Sequence, residues 1–127
     1  MKQGAQAEEL AARYLQQRGL KLVSRNYRSR FGEIDLILHD HDVLVFVEVR
    51  MRSSQQFGGA AASIDQRKQT KLIRTAQHYL ATLTRIPACR FDAVLIAARI
   101  QTAVQPQDSL FELQSTDIEW VKNAFEA

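Results

Sequence analysis

Two carboxylates, Asp35 and Glu48, lie within the most apolar part of the chain, the segment GEIDLILHDHDVLVFVEVRMR at residues 32–52. Its two apolar runs predict a β-hairpin, in which directly opposed residues point to the same face of the sheet. A two-residue turn at 41–42 would set Asp35 opposite Glu48. A turn at 40–41 would instead make Glu48 a diagonal neighbour of Asp35. Both registers place the two carboxylates on one face, about 5 to 8 Å apart.

In such a pair one carboxylate would take up a proton unless a cation lay between them, because buried like charges repel each other and lose their hydration. A hard divalent ion such as magnesium or manganese meets this need, since it prefers carboxylate oxygens, backbone carbonyls and water. The other interpretation is a structural ion network in which Arg50 or another arginine neutralises the pair. The same alternation predicts that Glu33 and Arg50 share the face of the two acids. The opposite face is predicted to be core and consists of Ile34, Leu36, Val45, Val47 and Val49.

Two helical segments are predicted to bring further charged groups to this pair. Residues 4–18 carry apolar side chains at helical spacing, and Glu8 lies at the border of that apolar stripe. A third carboxylate directed toward the sheet fits a metal site better than a salt bridge. A second helix is predicted from a capping box at Ser63 to about Leu83, and Lys68 lies on its buried side.

The remaining elements complete the order α-β-β-β-α-β, which predicts an α/β domain with a central mixed sheet flanked by helices. The predicted strands lie at 20–30, 33–39, 43–50 and 91–98. The last of them, FDAVLIAA, is apolar at nearly every position, which is typical of a strand buried on both faces. Leu110 and Phe111 are candidates for another short strand. The apolar residues expected to close over the core near the C-terminus are Ile118, Trp120, Val121 and Phe125.

Length and composition limit the class of protein. The 127 residues suffice for one domain with a real core, and 46% hydrophobic with 24% charged residues is typical of a soluble globular protein. No apolar run of the sequence reaches membrane-spanning length, and the N-terminus lacks the apolar centre of a secretory signal, which predicts a cytoplasmic protein. The single cysteine, Cys89, excludes an internal disulfide and a multi-cysteine zinc site. A net charge of +3 weakly favours a polyanionic partner.

Two groups of basic residues are candidates for contact with the phosphates of a nucleic acid. The group before the hairpin consists of Arg25, Arg28 and Arg30. The group on the second helix forms a stripe apart from its buried side and consists of Arg67, Lys71, Arg74 and His78. An ordinary solvated helix face is the other explanation of such a stripe.

Four segments carry a family resemblance: GAQAEELAARYL, NYRSRFGEIDLIL, VFVEVR and FGGAAASIDQRKQTKLIRTAQHYL. In this order, from about residue 4 to residue 98, they resemble the YraN-like (UPF0102) family of small bacterial proteins. That family is related to archaeal Holliday-junction resolvases and tRNA-endonuclease-like folds in the PD-(D/E)xK nuclease superfamily. The resemblance implies a restriction-endonuclease-like core and hydrolysis of phosphodiester bonds with magnesium or manganese. It also implies a nucleic-acid partner, DNA in particular.

Carried over position by position, the resemblance assigns roles to the residues singled out above. It implies that Glu8, Asp35 and Glu48 bind the metal, with the backbone carbonyl of Val49 as a further ligand. Arg50 stands where the superfamily has lysine, and arginine does not release its proton to activate water, so that task would fall to the metal. Resolvase relatives are dimers, which leaves a homodimer open. The candidate catalytic set is Glu8, Asp35, Glu48 and Arg50, with Lys68 added from its helix phase.

Three classes of function remain open from the sequence. The first is a magnesium- or manganese-dependent endonuclease that acts on structured or branched DNA. The second is a non-catalytic nucleic-acid-binding module on the same fold, and the third is a structural protein whose acids pair with arginines. Metal binding separates the first from the third. Metal-dependent cleavage separates the first from the second.

Overall fold

The computed structural model describes residues 3–53, 64–98 and 118–127, which form two helices and five strands. The elements are α1 (Gln3–Gln17), β1 (Lys21–Ser29), β2 (Gly32–Asp40), β3 (Val43–Ser53), α2 (Gln66–Leu80), β4 (Ala88–Ala98) and β5 (Ile118–Phe125). The strands form one sheet in the order β1-β2-β3-β4-β5, in which only β3 and β4 are parallel among the described pairs. The predicted α/β fold and its α-β-β-β-α-β order are confirmed. The C-terminal apolar residues add β5, while Leu110 and Phe111 lie outside the described residues.

The first helix packs on the sheet through small residues and ends at a glycine. Ala7, Ala11 and Leu15 are buried against the sheet, which brings the helix backbone close to the strands. Gly19 follows the helix with a φ of +96°, a left-handed conformation that glycine adopts without steric cost. Its N–H donates to the carbonyl of Gln16 at 3.0 Å, which satisfies one of the terminal carbonyls.

The second helix starts and ends within the predicted segment. Asp65 is its N-cap, because its side chain accepts a hydrogen bond of 2.8 Å from the N–H of Lys68. Ser63, the predicted cap, lies outside the described residues. The helix ends at Leu80, before the predicted end at Leu83, since the N–H groups of Thr82 and Leu83 donate to carbonyls three residues back in a tighter turn. Neither described helix is long and apolar enough to cross a membrane.

Two hydrophobic clusters, one on each face of the sheet, hold the helices in place. The cluster on the α2 side includes Ile34, Ile37, Leu44, Phe46, Leu72, Ala76, Phe91 and Leu95. The cluster on the α1 side includes Ala11, Leu15, Leu36, Leu38, Val45, Val47, Val94 and Ile96. Strand β4 contributes to both clusters, which confirms that its uniformly apolar sequence is buried on both faces.

The β2–β3 hairpin has the first of the two predicted registers. Asp40 pairs with Val43 across a two-residue turn, and His41 in that turn has a left-handed φ of 55°. The paired residues continue as far as Leu36 and Val47. The positions next in register belong to Asp35 and Glu48, so both acids lie at the end of the ladder.

Side-chain alternation in β2 is interrupted at Asp35. Leu36 packs on the α1 side of the sheet as predicted, but Ile34 packs on the α2 side. The predicted common face of Ile34 and Leu36 is therefore wrong. The cause lies in the neighbouring strand β1. Its residue Asn26 lies between the residues that pair with Ile34 and Leu36, opposite Asp35, and has a left-handed φ of 52°. A left-handed residue reverses side-chain direction in β1, and β2 follows it, so that Asp35 can reach groups on both faces.

Candidate functional site

Carboxylates from α1 and β2 meet beside the end of the β2–β3 ladder. Oxygen atoms of Glu8, Glu33 and Asp35 all lie within 4.8 Å of one another, and the three side chains are partly exposed. Glu8 reaches this point because its neighbour Ala7 is buried against the sheet. Glu33 reaches it because the alternation of β2 changes at Asp35. The two elements thus concentrate negative charge at one end of the sheet.

Asp35 is held by the neighbouring strand β3. Its Oδ2 accepts a hydrogen bond of 2.8 Å from the N–H of Val49, beyond the last paired residue of the hairpin. The carboxylate thereby satisfies a strand N–H at the end of the ladder. Asp35 also shares a hydrogen bond with the carboxyl group of Glu48. It therefore connects the partly exposed acids near α1 to the buried Glu48.

Glu48 is the buried acid of the site and faces two cations. Its Oε2 lies 3.4 Å from Nε of Arg50 and 3.7 Å from Nζ of Lys68. Lys68 comes from the first turn of α2, so its predicted direction toward the sheet is confirmed. Glu33 lies instead with the carboxylate of α1, and the predicted common face of Glu33 and Arg50 is wrong. The reason is again the interruption of alternation in β2.

Burial raises the pKa values of three connected carboxyl groups, those of Glu8, Asp35 and Glu48, because the charged forms lose hydration. For Glu48, burial and then the charge of Asp35 raise the pKa to about 7, against the opposing effects of Lys68 and Arg50. The pKa of Asp35 is raised by burial although its hydrogen bonds oppose the shift. Below about pH 7, Glu48 therefore holds a proton that it donates to Asp35.

Because Glu48 holds this proton in the folded state, we expect the stability of the protein in metal-free buffer to depend on pH. The folded protein keeps it up to about pH 7, whereas the ordinary pKa of a glutamate in the unfolded chain is 4.5. The folded state binds more protons between these values, so the free energy of unfolding falls as the pH rises through this window. At about 1.4 kcal/mol per pKa unit, the contribution of Glu48 to this loss is about 3 kcal/mol.

Denaturant unfolding curves with chelator, recorded across this pH window, measure the effect. Glu48→Gln should make the slope shallower, because a neutral amide has no proton to lose, while the raised pKa values of Glu8 and Asp35 leave a smaller slope behind. Glu126→Gln is the matched control, since Glu126 is exposed and should leave the slope unchanged. A Glu48→Gln variant with the wild-type slope would contradict the shared proton.

Sequence reasoning missed Asn26 at this site and placed Glu33 near the acids without giving it a role. Asn26, with its amide nitrogen oriented toward the acids, donates to Glu8 Oε1 at 2.9 Å and to Glu33 Oε2 at 2.7 Å. Glu33 also accepts a hydrogen bond from Arg28 at 3.1 Å. The position of Glu33, two residues before Asp35, was a sequence signal that it belongs to the site. For Asn26 the only local signal is the tolerance of asparagine for left-handed backbone.

The basic residues predicted to contact phosphates divide into two groups. Arg25 is paired with Glu9 at 2.6 Å and Arg28 with Glu33 at 3.1 Å, so both already have carboxylate partners. Arg30 is exposed at the turn between β1 and β2. The predicted stripe on α2 is exposed and, within the described part of the chain, forms no ion pair at Arg67, Lys71 and Arg74.

The carboxylate group fits a hard divalent cation. Ligand bonds of roughly 2.0 to 2.6 Å allow two oxygens on one ion to lie up to about 4 to 5 Å apart. The carboxylate oxygens of Glu8, Glu33 and Asp35 all lie within 4.8 Å of one another, which is within this range. Repulsion among these acids also makes exchange of protons for a cation favourable. The N–H of Val49 is used by Asp35, and the role of the Val49 carbonyl stays a prediction.

Fold and site together define a class: a small α/β protein with a carboxylate cluster at the end of a mixed sheet, between two flanking helices. Residues 7–96 match the family model described as "Uncharacterised protein family UPF0102". The chain belongs to that family, as its sequence resemblance predicted.

Full-length relatives agree with this membership. A UPF0102 protein of Nitrosomonas europaea is 53% identical over 123 residues, which cover 97% of this chain and 92% of that protein. A UPF0102 protein of Methylobacillus flagellatus is 49% identical over 128 residues and covers 100% of both chains. A third, from Cupriavidus taiwanensis, is 48% identical and covers 98% of this chain and 82% of the relative. These names state a family and no activity, so function has to be argued from the site.

Proposed function

We propose that this protein is a magnesium- or manganese-dependent endonuclease that hydrolyses phosphodiester bonds in structured or branched DNA. The observation that carries the proposal is the meeting of Glu8, Glu33 and Asp35 within 4.8 Å, joined through Asp35 to a glutamate that faces two cations. Phosphodiester hydrolysis needs such a combination, because negative charge grows on the phosphate and on the leaving oxygen. The resemblance to PD-(D/E)xK nucleases supports the same chemistry.

In this proposal the carboxylates hold the metal. Glu8, Asp35 and Glu48 are the ligands expected from the sequence, Glu33 is added by its position, and Val49 would contribute its carbonyl. A bound magnesium or manganese ion supplies charge neutralisation at the phosphate and acidifies water. Asp35 is central among these residues, because it touches both the exposed acids and the buried Glu48.

In this proposal two cations bind the reacting phosphate. Nζ of Lys68 lies 3.7 Å from Glu48 with 37% of its side chain exposed, so the ammonium group can turn toward a phosphate oxygen without leaving its carboxylate. An arginine side chain does not release its proton to activate water, so Arg50 would serve to stabilise charge and not as a general base. Together they offset the charge that develops during hydrolysis.

A non-catalytic nucleic-acid-binding module on the same fold is the second candidate. The observation that favours it is Arg50, which occupies the position of the superfamily's lysine and removes one group able to exchange a proton. Such a protein would bind DNA through its basic surfaces and leave every phosphodiester bond intact.

A cleavage assay on a panel of DNA substrates separates the two candidates. Four-way junctions, splayed arms, a matched linear duplex and a single strand are incubated with manganese, with magnesium and with chelator. We expect cuts in the branched substrates with either metal and none with chelator. Binding without cleavage in every metal would overturn the nuclease proposal and favour the binding module.

Action on DNA would place the protein in the cytoplasm. A four-way junction carries two symmetry-related strands to be cut, so the proposed substrate also favours a homodimer. The gel-filtration mass of the protein with and without junction DNA measures this assembly.

The exposed stripe on α2 predicts a salt-dependent contribution to DNA binding. Replacing Arg67, Lys71 and Arg74 together by alanine should weaken binding to any DNA sequence, because phosphate contacts carry no base information. The slope of log affinity against log salt should become shallower by about one for each phosphate that the variant no longer neutralises. Mobility shifts at several salt concentrations measure it.

A second triple variant controls for net charge. The control residues are exposed and lie away from α2: Arg13 on α1, Arg18 just after α1 and Lys122 on β5. Their replacement by alanine removes the same charge from other surfaces. If both triple variants weaken DNA binding equally, the α2 stripe is an ordinary solvated helix face and not a DNA contact.

A further inference from the structure

The turn between β1 and β2 is anchored to α2 by a chain of hydrogen bonds. The N–H of Phe31 donates to Oγ of Ser29 at 3.0 Å, and that hydroxyl contacts Oγ1 of Thr75 at 3.4 Å. Thr75 is fully buried and its hydroxyl donates to the carbonyl of Lys71 at 2.8 Å. Gly32 completes the turn with a φ of +154°, and a Cβ there would lie 3.5 Å from the Thr75 hydroxyl. The turn is therefore fixed on the helix that carries the basic stripe.

This anchoring holds an aromatic ring near two cations at the surface. Phe31 is partly exposed and belongs to neither of the two hydrophobic clusters of the described residues. The guanidinium carbon of Arg30 lies 5.0 Å from the ring centroid, and that of Arg74 lies 5.9 Å from it. Both distances are within the range of cation–π attraction. The ring and the two arginines are called the Phe31 platform below.

The Phe31 platform lies near the carboxylate cluster. Phe31 directly precedes β2, and four residues at about 3.3 Å each separate it from Asp35 by no more than about 13 Å. Lys71 and Arg67 of the stripe continue from Arg74 along the same face of α2. A single nucleic-acid strand can therefore contact the platform, the stripe and the cluster at the same time.

We propose that the Phe31 platform stacks an unpaired base of the DNA. This inference rests on the proposed function and narrows its substrate to DNA with an unpaired nucleotide near the scissile phosphate. An aromatic face next to cations is the combination that binds single-stranded nucleic acid, because the base stacks while the cations hold the flanking phosphates. Bases within a duplex are already stacked on each other and cannot use the platform.

Affinity for single-stranded and duplex DNA tests the proposal without any cleavage. Binding of a fluorescently labelled single strand and of a matched duplex is measured by anisotropy with chelator present. Phe31→Leu keeps an apolar side chain but removes the aromatic face, and it should weaken single-strand binding roughly 5- to 100-fold. Duplex binding should change much less, and Phe31→Tyr should bind single strands as wild type does.

Tyr14→Leu is the matched control. The guanidinium carbon of Arg18 lies 3.4 Å from the ring centroid of Tyr14, so the same cation–aromatic pairing is present on α1, on the opposite face of the sheet from the α2 stripe. This variant should leave single-strand affinity unchanged. Equal losses on single strand and duplex for Phe31→Leu, or no loss on either, would overturn the stacking role.

A probe of the wild-type protein covers the case in which Phe31→Leu fails to fold. A single strand that contains 2-aminopurine reports the environment of the base, because stacking on neighbouring bases quenches its fluorescence. We expect the fluorescence to change on binding to wild type as the base moves from its neighbours to the platform, and unchanged fluorescence in the complex would overturn the proposal. If DNA is cleaved and single-strand binding does not depend on Phe31, only the stacking role of the platform is rejected. If stacking depends on Phe31 but no DNA is cleaved, only the proposed nuclease activity is rejected.

Discussion

Asp35→Asn should abolish binding of manganese and metal-dependent cleavage while it leaves the fold intact. Among the described residues, the carboxylate of Asp35 interacts with Glu8, with Glu48 and with β3, so an amide there removes a negative charge from the centre of the cluster. Loss of an outer partner of a metal ligand typically lowers affinity 10- to 100-fold, roughly, and loss of the ligand itself should exceed that. Calorimetric titration of manganese measures the binding, and the junction assay measures the turnover.

The fold should survive because the amide oxygen of asparagine can still accept the hydrogen bond from Val49. Removal of one charge also relieves repulsion with Glu8 and Glu48, so the melting temperature with chelator should not fall. Asp42→Asn is the matched control, since Asp42 is an exposed aspartate in the β2–β3 turn and should bind manganese like wild type. Equal binding by the Asp35 variant, or no binding by wild type, would remove the metal from the proposal.

The hairpin that carries the acids was predictable because alternating apolar positions and two strand-like runs constrain the pairing. The choice between its two registers was not. Asp40 and His41 make as good a polar turn as His41 and Asp42, and only the tertiary structure selects the turn in which His41 is left-handed. The conclusion that Asp35 and Glu48 are neighbours survived because both registers satisfy it.

The shape of the cluster depends on a feature that alternation cannot reveal. A left-handed Asn26 in β1 changes the direction of the side chains in β2, which moves Ile34 to the α2 side and Glu33 toward α1. Pattern reasoning assumes an uninterrupted strand, so it placed both residues on the wrong face. Helix phase was more reliable: Glu8 and Lys68 reach the site because a buried stripe fixes the rotation of each helix.

The start of α2 shows a similar limit of local reasoning. Ser63 and Asp65 are both residue types that cap helices well, and their spacing to the following residues does not decide between them. The hydrogen bond from Lys68 to Asp65 identifies the cap. This cap matters to the site, because it fixes the first turn of α2 and with it the position of the Lys68 side chain.

Arg50→Ala should lower turnover by roughly 100-fold or more, whereas Arg50→Lys should retain or raise it. The loss in the alanine variant has the scale seen when one group that stabilises transition-state charge is removed. Lysine keeps the positive charge at this position and restores the common superfamily pattern. Metal affinity should not fall in either variant, because loss of a cation beside the ion cannot weaken the attraction of the carboxylates.

The alternative role of Arg50 is a structural counter-ion for Glu48. Breaking a buried ion pair from one side usually costs about 3 to 5 kcal/mol, because the other charge stays buried without a partner. Two features of this site reduce that cost. Lys68 remains 3.7 Å from the same oxygen of Glu48, and Glu48 with a pKa of about 7 can take up a proton instead of staying charged.

Thermal melts of Arg50→Ala and Lys68→Ala, with chelator and with manganese, separate the two roles. We expect a small loss of stability for each variant in chelator at about pH 8, where Glu48 is charged, and a smaller one at about pH 6, where it is protonated. Manganese should restore most of either loss, because the ion replaces the missing cation. A large loss for Arg50→Ala that disappears with manganese, together with wild-type turnover, would assign Arg50 to structure alone. Wild-type melting together with a 100-fold loss of turnover, roughly the scale given above, would assign it to charge stabilisation at the phosphate.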